Sequence, residues 1–291
     1  MKKVGMIGLG NMGKGVCHSL IKAGYDMTVF DLSDTAKKQF EGQANIASSP
    51  KEVFEKSEIT FLSLPNSDVV ESTLDIFFQS GVKGKIVIDA STSNPISTRK
   101  LSARMAENGG ILIDSPLTGS PSDAWDATMD IVVAGDEKTI SENDALFKSF
   151  SRSYDYVGES GNAHLIKLAM NWANLLQAIN YAQIFPVMEK LGIPSDKLYH
   201  IFDGPTLANW VFHFYGKKFV DRNYKMDFAL ALGYKDIKYM KMLCDNVNAP
   251  GYMLNGAIEL CQEALDYGKA QDINPDMSYV CEAVYHAMEK Q

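Results

Sequence analysis

Met6-Ile7-Gly8-Leu9-Gly10-Asn11-Met12-Gly13 lies close to the start of the chain, where an apolar run breaks into glycines spaced Gly-x-Gly-x-x-Gly and then resumes at helical intervals. Val4, Met6 and Ile7 read as a short buried strand, and Met12, Val16, Leu20 and Ile21 recur as one helical face until Gly24 ends it. Strand, glycine turn and helix thus follow in the order a pyrophosphate cradle needs. Gly8 allows the tight turn, Gly10 lets the backbone approach phosphates without a Cβ, and Gly13 lets helix and strand pack closely. The helix N-terminus offers free N–H groups and the positive end of its dipole to the anion.

Such a string also arises by chance in ordinary turns, so its surroundings decide. Met27-Thr28-Val29-Phe30 follows as a second strand, and Asp31 stands at its end, about twenty residues past the glycines, where a carboxylate accepts hydrogen bonds from ribose hydroxyls. The same carboxylate repels a 2′-phosphate, which predicts NAD over NADP, although Lys37 and Lys38 on the next helix work against that preference.

A chain of 291 residues predicts two domains. Hydrophobic residues at 46% and charged residues at 22% belong to an ordinary globular protein, and a net charge of −8 argues against nucleic acid as the main partner. Cys17, Cys244, Cys261 and Cys281 form no Cys-x-x-Cys pair and are expected to be reduced and mostly buried. Lys2-Lys3 precede an apolar stretch only a strand long, broken by glycines and Lys14, so a signal peptide is not expected and cytoplasmic residence is. No run approaches the roughly eighteen apolar residues of a membrane span. The five histidines are scattered without ligand spacing, and no metal site is expected.

Residues 1–161 alternate short apolar runs with helical patterns, the grammar of a parallel sheet wrapped by helices. Strands are expected at 4–7, 27–30, 59–62, 86–88, 111–113, 131–133 and 154–157, with helices at 50–56, 68–78 and 95–108 between them. Over 162–291 the strand pattern disappears: 164–191, 195–202, 209–220, 228–246 and 252–267 read as helices, an all-α second half. Ligands in open parallel sheets bind outside the carboxyl ends of the strands. Leu64-Pro65-Asn66-Ser67 and Ala90-Ser91-Thr92-Ser93-Asn94-Pro95 fall there, either as ligand-facing donors or as helix N-caps, or as both.

The segment from Ala163 to Leu191 is apolar nearly all round, which predicts a helix packed on several sides. Yet His164, Lys167, Asn171 and Asn174 recur at intervals of three, four and three and share a face. That stripe is either the helix's solvent face or one wall of a wet cleft; its narrowness favours the cleft. Partial burial lowers a lysine's pKa from about 10.4 toward neutrality, which would let Lys167 exchange a proton with an alcohol. Asn209-Trp210-Val211-Phe212-His213-Phe214-Tyr215 concentrates aromatics in one helix, read as core or interface, with Trp210 and Phe214 able to form a pocket wall.

Six blocks occur in an order that resembles the β-hydroxyacid dehydrogenases: Gly8–Gly13, Leu64–Ser67, Asp89-Ala90-Ser91-Thr92, Asp114-Ser115-Pro116-Leu117-Thr118-Gly119, Gly161 with Lys167 and Asn171, and Lys235-Asp236. The resemblance covers essentially the whole chain and is closest to the branch of 3-hydroxyisobutyrate dehydrogenase, tartronate semialdehyde reductase and 4-hydroxybutyrate dehydrogenase. It implies an NAD-binding Rossmann domain over 1–161 and an all-helical substrate and oligomerisation domain over 162–291, joined by a long helix, with the active site in the cleft between them. It further implies a homodimer or homotetramer acting on a small 3- or 4-hydroxy acid or its semialdehyde. Lys167 would be the general acid/base and Asn171 would orient the substrate oxygen. Thr118, Gly119 and Ser120 would face the substrate, with Thr118 and Gly119 binding its carboxylate. Gly8, Leu9, Gly10, Asn11, Met12, Gly13, Asp31, Leu64, Pro65, Asn66, Thr92 and Lys235 would hold the cofactor.

One block departs from the pattern. Where the family loop carries further glycines, this chain has Ser120, Asp123 and Ala127, so any geometry there that needs positive φ is harder to hold. Asp123 and Asp126 also add negative charge, which predicts that an amino, hydroxylated or less anionic substrate is preferred over the usual small hydroxy acids. Imine reductases share the architecture but generally lack a lysine at the position of Lys167, and 6-phosphogluconate dehydrogenase needs a longer helical domain. A dinucleotide-binding protein with impaired catalysis is the non-enzyme alternative; the altered loop keeps it open, and Lys167, Asn171 and Lys235 together oppose it.

Overall fold

The computed structural model describes residues 2–289. In chain order its elements are β1 (Lys3–Ile7), α1 (Gly13–Lys22), β2 (Asp26–Phe30), α2 (Asp34–Lys38), β3 (Asn45–Ile46), α3 (Pro50–Lys56), β4 (Ile59–Leu62), α4 (Ser67–Ser80), β5 (Ile86–Asp89), α5 (Pro95–Glu107), β6 (Ile111–Asp114), α6 (Pro121–Trp125), β7 (Asp130–Val133), α7 (Glu137–Glu142), α8 (Asp144–Phe150) and β8 (Ser153–Tyr156). Only helices follow: α9 (Asn162–Lys190), α10 (Ser195–Phe202), α11 (Trp210–Asp221), α12 (Leu230–Asn246), α13 (Tyr252–Ala270), a 3₁₀ turn (Met277–Tyr279) and α14 (Val280–Glu289). The chain forms two compact units, Met1–Lys167 and Leu168–Gln291, and α9 runs from the first into the second.

Six parallel strands in the order β3-β2-β1-β4-β5-β6 make the sheet of the first unit. The order reverses between β1 and β4, whose residues pair in register from Val4–Ile59 to Ile7–Leu62. Such a reversal opens a crevice outside the carboxyl ends of the strands. The central strands are mostly apolar because both faces of the sheet are covered: Ile59–Leu62 is wholly buried. Leu9, Val16, Phe61 and Ile88 belong to the core on one face, and Ile7, Phe54, Leu62 and Phe77 to that on the other.

Seven of these strands occupy the places the apolar runs indicate, but they do not share one sheet. β7 and β8 pair only with each other, parallel, and meet β6 through an isolated antiparallel bridge between Asp114 and Ala134. The chain returns from α6 opposite in direction to β6, so β7 cannot extend the parallel ladder. β3, two residues long, is too short to show alternation.

The second unit packs α9 through α14 around Phe185, Phe212, Phe219, Leu230, Ile237, Leu254, Cys261 and Val280. All four cysteines are free and buried. Within α9 the expectation of packing on several sides needs correction: Leu165, Ile166 and Met170 are exposed, whereas His164, placed by its spacing on a wet face, is wholly buried. The spacing groups side chains on one face but does not reveal which neighbour each turn meets, and the first turn of α9 meets the ends of β5 and β6.

Candidate active site

Each glycine of the first turn has a different reason to lack a side chain. Gly8 has φ +95°, and a Cβ there would lie 2.1 Å from the Ser63 carbonyl oxygen. Gly13 opens α1, and its Cβ would lie 2.2 Å from the Gly8 carbonyl oxygen, so it sets how closely helix and turn pack. Gly10 has neither constraint: its backbone is outside the left-handed region, and a Cβ would meet nothing within 4 Å. The fold itself does not demand glycine there, and the bare backbone leaves space for a ligand to lie against it. The N-cap of α1, Met12, offers no capping side chain, which leaves the first turn to an external acceptor. These residues suit the pyrophosphate of a dinucleotide.

Asp31 follows β2 and accepts two backbone N–H groups, from Leu9 (2.7 Å) and Ser33 (2.8 Å). It thereby ties the glycine turn to the end of the neighbouring strand. An ionised carboxylate has about four acceptor positions, so two filled positions leave room for ribose hydroxyls. Lys37 is ion-paired with Asp34 at 2.9 Å.

At the end of β4, Asn66 Oδ1 accepts from the Val69 N–H and caps α4; beyond β5, Asn94 Oδ1 accepts from the Ile96 N–H and caps α5. Both polar clusters therefore serve as helix caps in this fold. Ser91 links them, its hydroxyl accepting from the Leu64 N–H at 2.9 Å. Leu64, Pro65, Asn66 and Thr92 stand together on the loops leaving β4 and β5, next to the turn leaving β1.

Beneath these loops is a buried polar network that pattern reading does not find. Asp114, at the end of β6 and fully buried, accepts from the Gly161 N–H (2.8 Å), the His164 N–H (3.1 Å) and the Ser160 hydroxyl (3.1 Å). It thus caps the start of α9 from another strand. His164 Nε2 faces the Ser91 carbonyl at 3.1 Å and Nδ1 faces the Thr98 hydroxyl at 2.8 Å. A carbonyl only accepts, so Nε2 carries a proton. Asp89 and Asp114 oxygens lie 3.7 and 4.0 Å from the ring nitrogens. Lys167, half-buried, follows one turn later.

The altered segment after β6 is a built structure. Ser120 and Asp123 form a capping box on α6: Asp123 Oδ2 accepts from the Ser120 N–H (2.8 Å) and hydroxyl (2.6 Å), and the Ser120 hydroxyl accepts from the Asp123 N–H (3.3 Å). Those bonds, the hydroxyl's first, hold the Asp123 carboxyl below the usual carboxylate range. The Thr118 hydroxyl donates to the Asp130 carbonyl at 2.6 Å. α6 packs on α1: a Cβ at Gly15 would lie 2.7 Å from the Ala124–Trp125 backbone, the Ser19 hydroxyl bonds both their carbonyls, and Trp125 stacks on His18 at 3.9 Å. Ala127, at a position where the family carries glycine, takes φ +56°.

In the second unit, Asn171 Nδ2 donates to Asp236 Oδ2 at 2.7 Å, and Lys235 Nζ lies 3.1 Å from Asp236 Oδ1. Asp236 is only 2% exposed. It holds Asn171 by its amide nitrogen, which turns the Asn171 carbonyl oxygen away as an acceptor.

Comparison with known proteins agrees with this geometry. Residues 3–158 match the family described as the NAD-binding domain of 6-phosphogluconate dehydrogenase, and residues 161–281 match the NAD-binding family of NADP-dependent 3-hydroxyisobutyrate dehydrogenase. The chain belongs to the β-hydroxyacid dehydrogenase family. It is 26% identical to the mitochondrial 3-hydroxyisobutyrate dehydrogenase of Drosophila melanogaster over 100% of this chain and 90% of that one. It is 28% identical to the 2-hydroxy-3-oxopropionate reductase of Escherichia coli over 81% and 82% of the two. A solved 3-hydroxyisobutyrate dehydrogenase from Mycobacterium tuberculosis superposes with a TM-score of 0.84 at 23% identity, covering 98% of this chain and 99% of that one.

The dehydrogenase is accordingly an NAD(P)-dependent oxidoreductase of the CH–OH class. Among the described residues no group of three His, Cys, Asp or Glu side chains could hold a metal ion, and no helix is long and apolar enough to cross a membrane. The residues that sequence reading leaves without a role, Asp236, Asp114 and His164, are all buried polar groups. Asp236 was detectable only as the neighbour of Lys235.

Proposed function

We propose that this dehydrogenase interconverts a small 3- or 4-hydroxy carboxylate and its semialdehyde or keto form with NAD, using Lys167 as general acid/base. The observation that carries the reading is the Asn171–Asp236–Lys235 set, because a nearly buried carboxylate holding two functional side chains is costly unless it serves them. Asn171 lies one turn beyond Lys167 on the same helix face. Bound NAD supplies the hydride acceptor. Lys167 Nζ takes the hydroxyl proton as the alcohol is oxidised and returns it on reduction, while Asn171 Oδ1 orients the reacting oxygen.

Gly8–Gly13, Asp31, Leu64, Pro65, Asn66, Thr92 and Lys235 serve the cofactor, and Thr118, Gly119 and Ser120 face the substrate. NAD is favoured over NADP because Asp31 is followed by Leu32 and Ser33, which bring no cation to a 2′-phosphate, and Lys37 is already paired. Exposed Leu165, Ile166 and Met170 favour a homodimer or homotetramer, and four free buried cysteines accord with a reducing, cytoplasmic compartment.

The decisive assay follows NAD reduction across short hydroxy acids and NADH oxidation with the matching semialdehydes. Lys167→Ala abolishes turnover while NAD affinity stays close to wild type, and KM is lower for NAD than for NADP. A variant that keeps a tenth of wild-type activity would rule out the acid/base role; a tenfold preference for NADP would rule out the cofactor assignment.

A further inference from the structure

The segment leaving β6 stands where a substrate must approach. It starts at the carboxyl end of a strand next to β5, and α6 is clamped to the first turns of α1, the helix that opens at the glycine turn. A ligand beside a dinucleotide bound at that turn therefore meets this segment.

Several of the side-chain and backbone donors that an anionic group would use here are already engaged within the chain. The Ser120 N–H and hydroxyl both point to Asp123 Oδ2, and the Thr118 hydroxyl is held by the Asp130 carbonyl. The Thr128 hydroxyl donates to Asp123 Oδ1 at 3.2 Å. Arg152, the nearby cation, forks onto Asp130 through Nε and Nη2. A second carboxylate, Asp126, adjoins α6. The segment thus presents net negative charge and spare acceptor capacity: Asp123 uses about three of its four acceptor positions, and the Thr118 oxygen keeps its lone pairs.

We infer that Asp123 is a specificity-determining residue, selecting hydroxy acids whose substituent facing this segment donates hydrogen bonds, a hydroxyl or an ammonium, and rejecting a second carboxylate there. The inference rests on the hydroxyacid dehydrogenase reading. Its physical basis is twofold: a donor meets an unfilled acceptor, and a carboxylate meets a like charge while the Ser120 and Thr118 donors are engaged within the segment.

The test uses four 3-hydroxypropanoates that differ only at carbon 2, which carries methyl, hydroxyl, ammonium or a second carboxylate. Wild-type enzyme turns over the hydroxyl and ammonium members with kcat/KM at least tenfold above the methyl member and does not use the dicarboxylate. Asp123→Asn, which keeps an acceptor for the cap, lowers the ratio of kcat/KM for the ammonium member over the methyl member about tenfold and raises the dicarboxylate to a measurable rate. Asp123→Ser repeats the measurement should the Asn variant unfold, with thermal melting as the check. Equal changes for all four substrates, or unchanged discrimination, would overturn the inference and leave Asp123 a helix cap alone. If wild type turns over none of the four, the proposed function fails instead. Calorimetric binding of the same acids to the protein–NADH complex then decides: equal affinities in wild type and Asp123→Asn overturn the inference, and an Asn-dependent loss of ammonium preference supports it.

Discussion

Gly10 is the residue whose identity the fold does not require. Gly8 and Gly13 would each drive a Cβ into a carbonyl oxygen, whereas Gly10 faces open space at an ordinary φ. Gly10→Ala should therefore leave the melting temperature unchanged or slightly raised, since an alanine at a compatible site stabilises by roughly 0.4–1 kcal/mol through the unfolded chain. The same substitution weakens NADH binding at least tenfold, read by fluorescence titration; unchanged affinity would remove the pyrophosphate assignment. At this scale the sequence was legible at Gly8 and Gly13, whose turn and packing roles the strand, glycine string and helix in that order predict. It was also legible at Ala127, whose replacement of a glycine signals a strained backbone and whose φ is indeed positive. The capping box at 120–123 was also legible, as Ser-x-x-Asp with Pro121 at the first helical position, but a reading of Asp123 as a replaced glycine and added charge passes over it.

At the scale of the element, α9 shows where periodicity stops informing. Its pattern groups His164 with Lys167 and Asn171, yet His164 is sealed against β5 and β6 by Asp114, Thr98 and the Ser91 carbonyl. These partners lie 50 to 73 residues away in sequence, so no local pattern encodes them. Asp114 is the key acceptor, taking two backbone N–H groups and a hydroxyl in a fully buried place. Asp114→Ala leaves those donors unsatisfied, at roughly 1–3 kcal/mol for each buried group, and should lower the unfolding free energy by about 3 kcal/mol or more in urea titrations. Asp114→Asn, retaining one acceptor oxygen, should cost about half as much. A loss below about 1 kcal/mol for the alanine variant would mean that water or a shifted side chain replaces the carboxylate. The separation of β7 and β8 from the main sheet was hidden for a related reason: strand composition gives the presence of a strand but not its direction against a distant neighbour.

For the whole molecule, the change of grammar near residue 162 announces an all-helical second half, but what holds its last helices in place is again long-range. Asp276, almost wholly buried, sits before the 3₁₀ turn and accepts from the Asp227, Phe228 and Ser278 N–H groups and the Ser278 hydroxyl, while Lys218 Nζ lies 3.1 Å away. Burial pushes its carboxyl up, but the Ser278 hydroxyl and the three N–H groups outweigh that and hold it below the usual value. A carboxyl depressed in the folded state binds fewer protons than in the unfolded chain, so its contribution is complete above the unfolded value of about 3.9. It is lost as pH falls through the lower folded value. Unfolding free energy of the wild type should therefore show no Asp276-dependent change between neutrality and pH 5, then fall below about pH 4. Asp276→Asn breaks the buried pair with Lys218 and should cost about 3–5 kcal/mol at pH 7. Because the variant has no proton to gain at this position, its stability must also fall less steeply than the wild type's below pH 4, and far-UV circular dichroism of the helices can follow both slopes. Parallel acid slopes would show that Asp276 is not the group that couples the helical unit to protons, and that other depressed carboxyls, such as Glu189 beside Ser195 and Tyr285, carry the coupling instead.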